Sequence, residues 1–69
     1  MIAYLLTEQQ KNEIEGQLFA PDSYFNPVQD DKDNWVIFEE EVNGCVNPEF
    51  MWVKTLPTIE YVPPLLPGI

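Results

Sequence analysis

Most of the candidate chemistry lies between Val28 and Cys45, in VQDDKDNWVIFEEEVNGC. Asp31, Asp33 and Glu40 fall at the third, fifth and twelfth places of a calcium-loop register that begins at Gln29. Such a loop wants an acid first and a glycine sixth. Here those places hold Gln29 and Asn34, and Pro27 spoils an incoming helix. A stretch such as DDKDN also has the composition of a polar hairpin turn, because Asp and Asn hydrogen-bond their own backbone. The turn is the expectation, with a solvated glutamate run beyond it; Asp31, Asp33 and Glu40 are the outside set for a cation.

Catalysis lacks its usual tools. The chain has no histidine to act as an imidazole base and no arginine to clamp an anion. Cys45 stands alone, without the histidine that would make it a thiolate. It reads as a small, partly buried apolar residue. Asp31 and Asp33 form a carboxylate pair, but in a solvated turn, where nothing splits their proton affinities apart. The expectation is a protein that is no enzyme, with no catalytic residue and no cofactor.

Charge narrows the partners. Twelve acids face only Lys11, Lys32 and Lys54, a net charge of −9 on 69 residues. Nucleic acid and anionic membrane both require cationic side chains to displace counterions, so neither is an expected partner. A basic protein is. A single cysteine can form no internal disulfide, which fits a reducing compartment. MIAYLL is too short and lacks the basic flank of a signal peptide, and it is far too short to span a membrane. The expected location is therefore cytoplasmic, in a bacterial cell or one infected by a virus.

These residues must be positioned by very little structure. The chain is one small domain, near the lower limit for independent stability. Ile2–Leu6 is apolar on both faces and predicts a central strand. Thr7 and Gln10 form a capping-box pattern that opens a helix over Glu8–Gln17, with Ile14 and Leu18 on its apolar line and Gly16 weakening its last turn. Tyr24–Val28 predicts an edge strand, since Pro27 cannot donate to a ladder. Trp35–Phe38 is the returning strand, Glu39–Asn43 one helical turn closed by a left-handed Gly44, and Asn47-Pro48 the start of a short helical or looped piece. Ile59–Val62 predicts a last strand, followed by a proline-rich extended end over residues 63–69. The predicted fold is α+β: a small, mostly antiparallel sheet with the N-terminal helix on one face.

One thin helix cannot cover both faces of such a sheet. The end IEYVPPLLPGI, with Leu65, Leu66 and Ile69 as plugs, could cover the second face; so could another copy or another protein. Contiguous exposed apolar surface usually marks an interaction site. The expectation is a protein-binding or self-associating chain, in the latter case a homo-oligomer, acting through Trp35, Phe38, Trp52, Leu65 and Leu66. The alternative is an acidic inhibitor that imitates the charge of nucleic acid and blocks a basic site on its target.

FNPVQDDKDNWVIFEEEVNGCVNPEF and MWVKTLPTIEYVPP resemble the short uncharacterised reading frames of phages and prophages. In these a polar turn precedes an NW-V/I strand, an acidic EEV turn and an aromatic W-V-K-x-L-P. The resemblance covers Phe25 to Pro64 and implies a viral accessory or minor structural protein, with no site residue carried over.

Overall fold

The computed structural model describes residues 1–64, and their fold is α+β. Six strands, β1 (Ile2–Leu6), β2 (Leu18–Ala20), β3 (Ser23–Tyr24), β4 (Val28–Gln29), β5 (Trp35–Phe38) and β6 (Thr58–Glu60), accompany α1 (Glu8–Ile14), α2 (Glu39–Asn43) and a 3₁₀ segment (Pro48–Thr55). The main sheet has the order β4-β5-β1-β6 with antiparallel neighbours. The two strands that are apolar throughout, β1 and β5, lie at its centre. Both edge strands are short and directly preceded by proline, Pro27 and Pro57, which blunts the edges against further pairing.

Register sorts the side chains. Tyr4 lies opposite Ile37 and Leu6 opposite Trp35 on one face; Ala3 lies opposite Phe38 and Leu5 opposite Val36 on the other. The first face carries the helices. Its Leu6 and Ile37 join Ile14, Phe25, Val42, Cys45 and Val53 in the main core. Phe25 packs at 5.1 Å from Phe19 and 5.7 Å from Phe50, ring centre to ring centre.

The second face is covered by the chain's own return. Beyond β6, Tyr61 donates its N–H to the Met1 carbonyl at 2.7 Å, and its ring meets Phe38 edge-on at 5.0 Å. The Val62 carbonyl then accepts from the Asp31 N–H at 2.9 Å. Ala3 and Val36 are fully buried on this face. Of the segment that could fold back, Tyr61 and Val62 make these contacts, and the plugs Leu65, Leu66 and Ile69 lie outside the described residues.

Local rules explain most boundaries. The capping box forms as expected, with Gln10 N–H to Thr7 Oγ1 at 3.1 Å and Thr7 N–H to Gln10 Oε1 at 2.9 Å. The helix stops at Ile14 rather than Gln17, because Gly16 takes a left-handed conformation (φ 78°) and turns the chain out. Leu18 therefore leaves the helical stripe and enters β2, a strand not expected from the sequence. Tyr24–Val28 is two strands: Ser23–Tyr24 pairs with β2, and Val28–Gln29 alone joins the main sheet. The last strand is Thr58–Glu60, shifted from the expected Ile59–Val62 because Tyr61 and Val62 already belong to the return.

Gly44 closes α2 but is not left-handed (φ −84°). What it supplies is space: a Cβ there would sit 3.3 Å from the Glu40 carbonyl oxygen and 3.4 Å from the Phe19 ring.

Two outcomes follow for stability. Gly16→Ala should cost about 1 kcal/mol from the left-handed backbone alone, since no atom lies within 4 Å of the new methyl. Gly16→Asn should cost less; urea midpoints decide it, and equal midpoints for all three chains would count against the cap. A double-mutant cycle over Phe38→Leu and Tyr61→Leu should return a coupling of about 0.5–1.5 kcal/mol. Zero coupling would mean that the return segment does not hold the second face.

Candidate functional site

The aromatic residues expected to bind a partner each have an intramolecular one. Trp35 is half-buried against the main core, with the Lys11 ammonium 4.3 Å from its ring centre. That ammonium is also paired with Glu15, one turn along α1. Phe38 is half-buried on the opposite face of the sheet against Tyr61. Trp52 packs against the main core and edges an open, mostly polar depression of about 410 Å³ with Thr7, Gln9, Gln10 and Glu13. Trp35 and Phe38 lie on opposite faces of one sheet, so the three do not form a common surface. Leu65 and Leu66 lie outside the described residues.

The acidic loop is a hairpin, as its composition suggests. The Asp33 N–H meets the Asp30 carbonyl at 3.2 Å, and Asp33 itself is left-handed (φ 63°), the usual way to close a three-residue hairpin loop. Asp30, which the register argument passes over, organises this loop. Its Oδ1 accepts from the N–H groups of Lys32 and Asn34 at 2.9 Å, and its Oδ2 from the Asn34 amide at 3.3 Å. Burial pushes its pKa up, but the donated hydrogen bonds and the nearby Lys32 charge outweigh that, leaving it below its ordinary value of 3.8.

A calcium loop does not form. Asp31 and Asp33 stand on the hairpin, whereas Glu40 lies in the first turn of α2 beyond the whole of β5, four residues and roughly 13 Å of strand away. Among the described residues, no three acidic or cysteine side chains converge to hold a metal ion. The reason is conformational: an extended strand paired with β1 replaces the curled segment that would have carried Glu40 back.

The second perturbed acid also serves the backbone. Glu41 accepts from the Asn26 N–H at 2.6 Å and from the Phe38 N–H at 3.3 Å, so it ties the approach to β4 to the start of α2. Burial is the largest influence on it, and the neighbouring Glu40 adds to that; together they outweigh the two hydrogen bonds and raise its pKa above 4.5. Cys45 is buried, its thiol 3.8 Å from the carbonyls of Asn47 and Phe50.

Exposed apolar side chains include Met1 and Ile2, which line a depression with Phe38, as well as Met51 and Val62; a further set gathers at the β2–β3 hairpin. Leu18 and Tyr24 are cross-strand partners, 38% and 62% exposed. Across the other side of β2, the Val46 N–H donates to the Phe19 carbonyl at 2.8 Å and the Asn47 amide to the Leu18 carbonyl at 3.0 Å. Val46, 65% exposed, is thereby held beside Leu18, and both line a shallow depression of about 260 Å³ with Pro21 and Pro48. The sequence signal for this surface was Gly16. Once the helix ends there, Leu18 has no helical face to occupy.

The two perturbed acids set opposite pH slopes. A raised carboxylate pKa means that the native chain holds the Glu41 proton more tightly, so stability should rise as pH falls from 7 toward about 4.5. Asp30, lowered, contributes above 3.8 and loses that contribution as pH falls through its lower native value. Melting temperatures from pH 7 to 2 should therefore pass through a maximum near pH 4–5. Glu41→Gln should flatten the upper limb, and Asp30→Asn the acid limb. A profile that falls steadily from pH 7 would contradict the Glu41 assignment, and one that keeps rising to pH 2 the Asp30 assignment.

No helix among the described residues is long and apolar enough to cross a membrane. Compared with protein-family models, with curated proteins and with solved structures, the chain finds no match in any of the three.

Proposed function

We propose that this chain is a non-enzymatic protein-binding module that makes contact through Leu18, Tyr24 and Val46. The observation behind this reading is that Leu18 and Tyr24 on the β2–β3 hairpin, and Val46 hydrogen-bonded beside β2, stay exposed next to one another. Apolar side chains left in water at the centre of a patch carry the affinity of most protein contacts. The hairpin is fastened to the main domain by the Phe19 and Leu18 carbonyls and by the Phe25 ring in the main core, while the Phe25 N–H, donating to the Gln17 carbonyl at 2.9 Å, extends the pairing of its two strands. A surface held on both sides loses little entropy when it binds, and that favours affinity.

The rival reading, an acidic inhibitor of a basic nucleic-acid site, draws on the net charge of −9. The carboxylates are shared among α1, the Asp31–Asp33 loop and the start of α2, rather than gathered on one element. Salt separates the two readings, because exposed charge pairs are screened at about 0.5 M whereas apolar contacts are not.

The test is photo-crosslinking in lysate of the cell that makes the protein, with a photoreactive residue at Val46 and, as control, at the exposed Glu8. Val46 should capture a defined protein that persists at about 0.5 M salt. Unlabelled wild-type chain should compete for it, and Leu18→Asp should not. Leu18→Asp should itself change stability by no more than about 0.5 kcal/mol, as an exposed site. Equal labelling at Val46 and Glu8 would sink the proposal, and so would capture that vanishes with salt.

A further inference from the structure

Building on that reading, we infer that the partner surface is an apolar side chain flanked by lysine or arginine, and not a second copy of this chain. The depression is apolar at its centre, with Leu18, Val46, Pro21 and Pro48 around it. Two acids adjoin its lining residues along the chain and form its rim in this reading: Asp22 follows Pro21 in the β2–β3 turn, and Glu49 follows Pro48 in the first turn of the 3₁₀ segment. Both are exposed, and among the described residues neither has a cationic partner. The carboxylates of the rim are available to a partner.

The lysines are not placed to serve a second copy. Lys11 is engaged by Glu15 and by the Trp35 ring. Lys32 sits on the β4–β5 loop and Lys54 near the end of the 3₁₀ segment, and neither is among the residues that line the depression. Two copies meeting patch to patch would bring Asp22 and Glu49 against themselves and a charge of −9 against −9. Like charges across a contact select against that pairing, while opposite charges on a rim speed encounter and fix orientation. The apolar centre would then supply the affinity, and the acidic rim the choice of partner.

Three synthetic ten-residue peptides test this by amide chemical-shift mapping on the whole ¹⁵N-labelled chain. All share a central Ile-Leu-Phe; their flanks are lysine, serine or glutamate. The lysine-flanked peptide should shift Leu18–Asp22 and Val46–Glu49 most strongly, the serine-flanked one weakly, and the glutamate-flanked one not at all. The double variant Asp22→Asn/Glu49→Gln should weaken the first by about fivefold, the scale of two exposed ion pairs. Equal binding of the lysine and serine peptides would overturn the inference while leaving the docking surface in place. Failure of all three to shift the patch would overturn both. Equal shifts throughout α1 and Glu39–Glu41 would show mere charge attraction, and a concentration-dependent dimer perturbing Leu18 and Val46 would make the second copy the occupant; either result overturns the inference.

Discussion

A small sheet whose central strands are apolar on both faces must be covered twice, and that constraint organises the molecule. β1 and β5 send Tyr4, Leu6, Trp35 and Ile37 one way, and Ala3, Leu5, Val36 and Phe38 the other. Each fully buried aliphatic side chain is worth about 1.5–3 kcal/mol, a large share of what so small a domain can muster. One face receives α1, α2 and the 3₁₀ segment, which together enclose Ile14, Val42, Cys45 and Val53. The other receives the returning chain at Tyr61 and Val62. Neither layer is thick, so the loops between elements must be held by specific hydrogen bonds.

The acids that might have done chemistry supply many of those bonds. Asp30 gathers three donors and sets the β4–β5 loop; Glu41 gathers two and joins the segment before β4 to the start of α2. Their shifted proton affinities come from this structural work, one dominated by hydrogen bonds and the other by burial. The same economy appears at Cys45, whose thiol fills core space. It appears again at Lys11, which covers the Trp35 ring while pairing with Glu15. Such groups are spoken for within the fold. Among the groups left exposed are the apolar side chains at the β2–β3 hairpin and the acids next to them along the chain.

That division explains why a functional reading taken from residue type alone pointed to the large aromatics. Trp35, Phe38 and Trp52 carry the greatest apolar area, but the fold spends much of it internally. Smaller side chains are left exposed: Leu18, because its hairpin packs through Phe19 and Phe25, and Val46, held beside β2 by its N–H to the Phe19 carbonyl.

The sequence by itself determined the features that depend on neighbours along the chain. The capping box at Thr7 and Gln10, the polar turn at residues 30–34, the strands β1 and β5, the helical turn Glu39–Asn43 and the edge position imposed by Pro27 all follow from local chemistry or from alternation of apolar residues. Tertiary structure decided what local rules leave degenerate. Ile14 and Leu18 are four apart and fit a helical stripe equally well with or without a break at Gly16; only the pairing of Leu18 with Tyr24 selects the break. Gly44 looks like a left-handed cap, yet the ring of Phe19, distant in sequence, is what its missing side chain accommodates. Asp31, Asp33 and Glu40 fit a loop register on paper, and an extended β5 separates them because Trp35–Phe38 finds a better partner in β1. Spacing along a chain limits which residues can meet, but long-range pairing chooses among those meetings, and no periodicity in 69 residues encodes that choice.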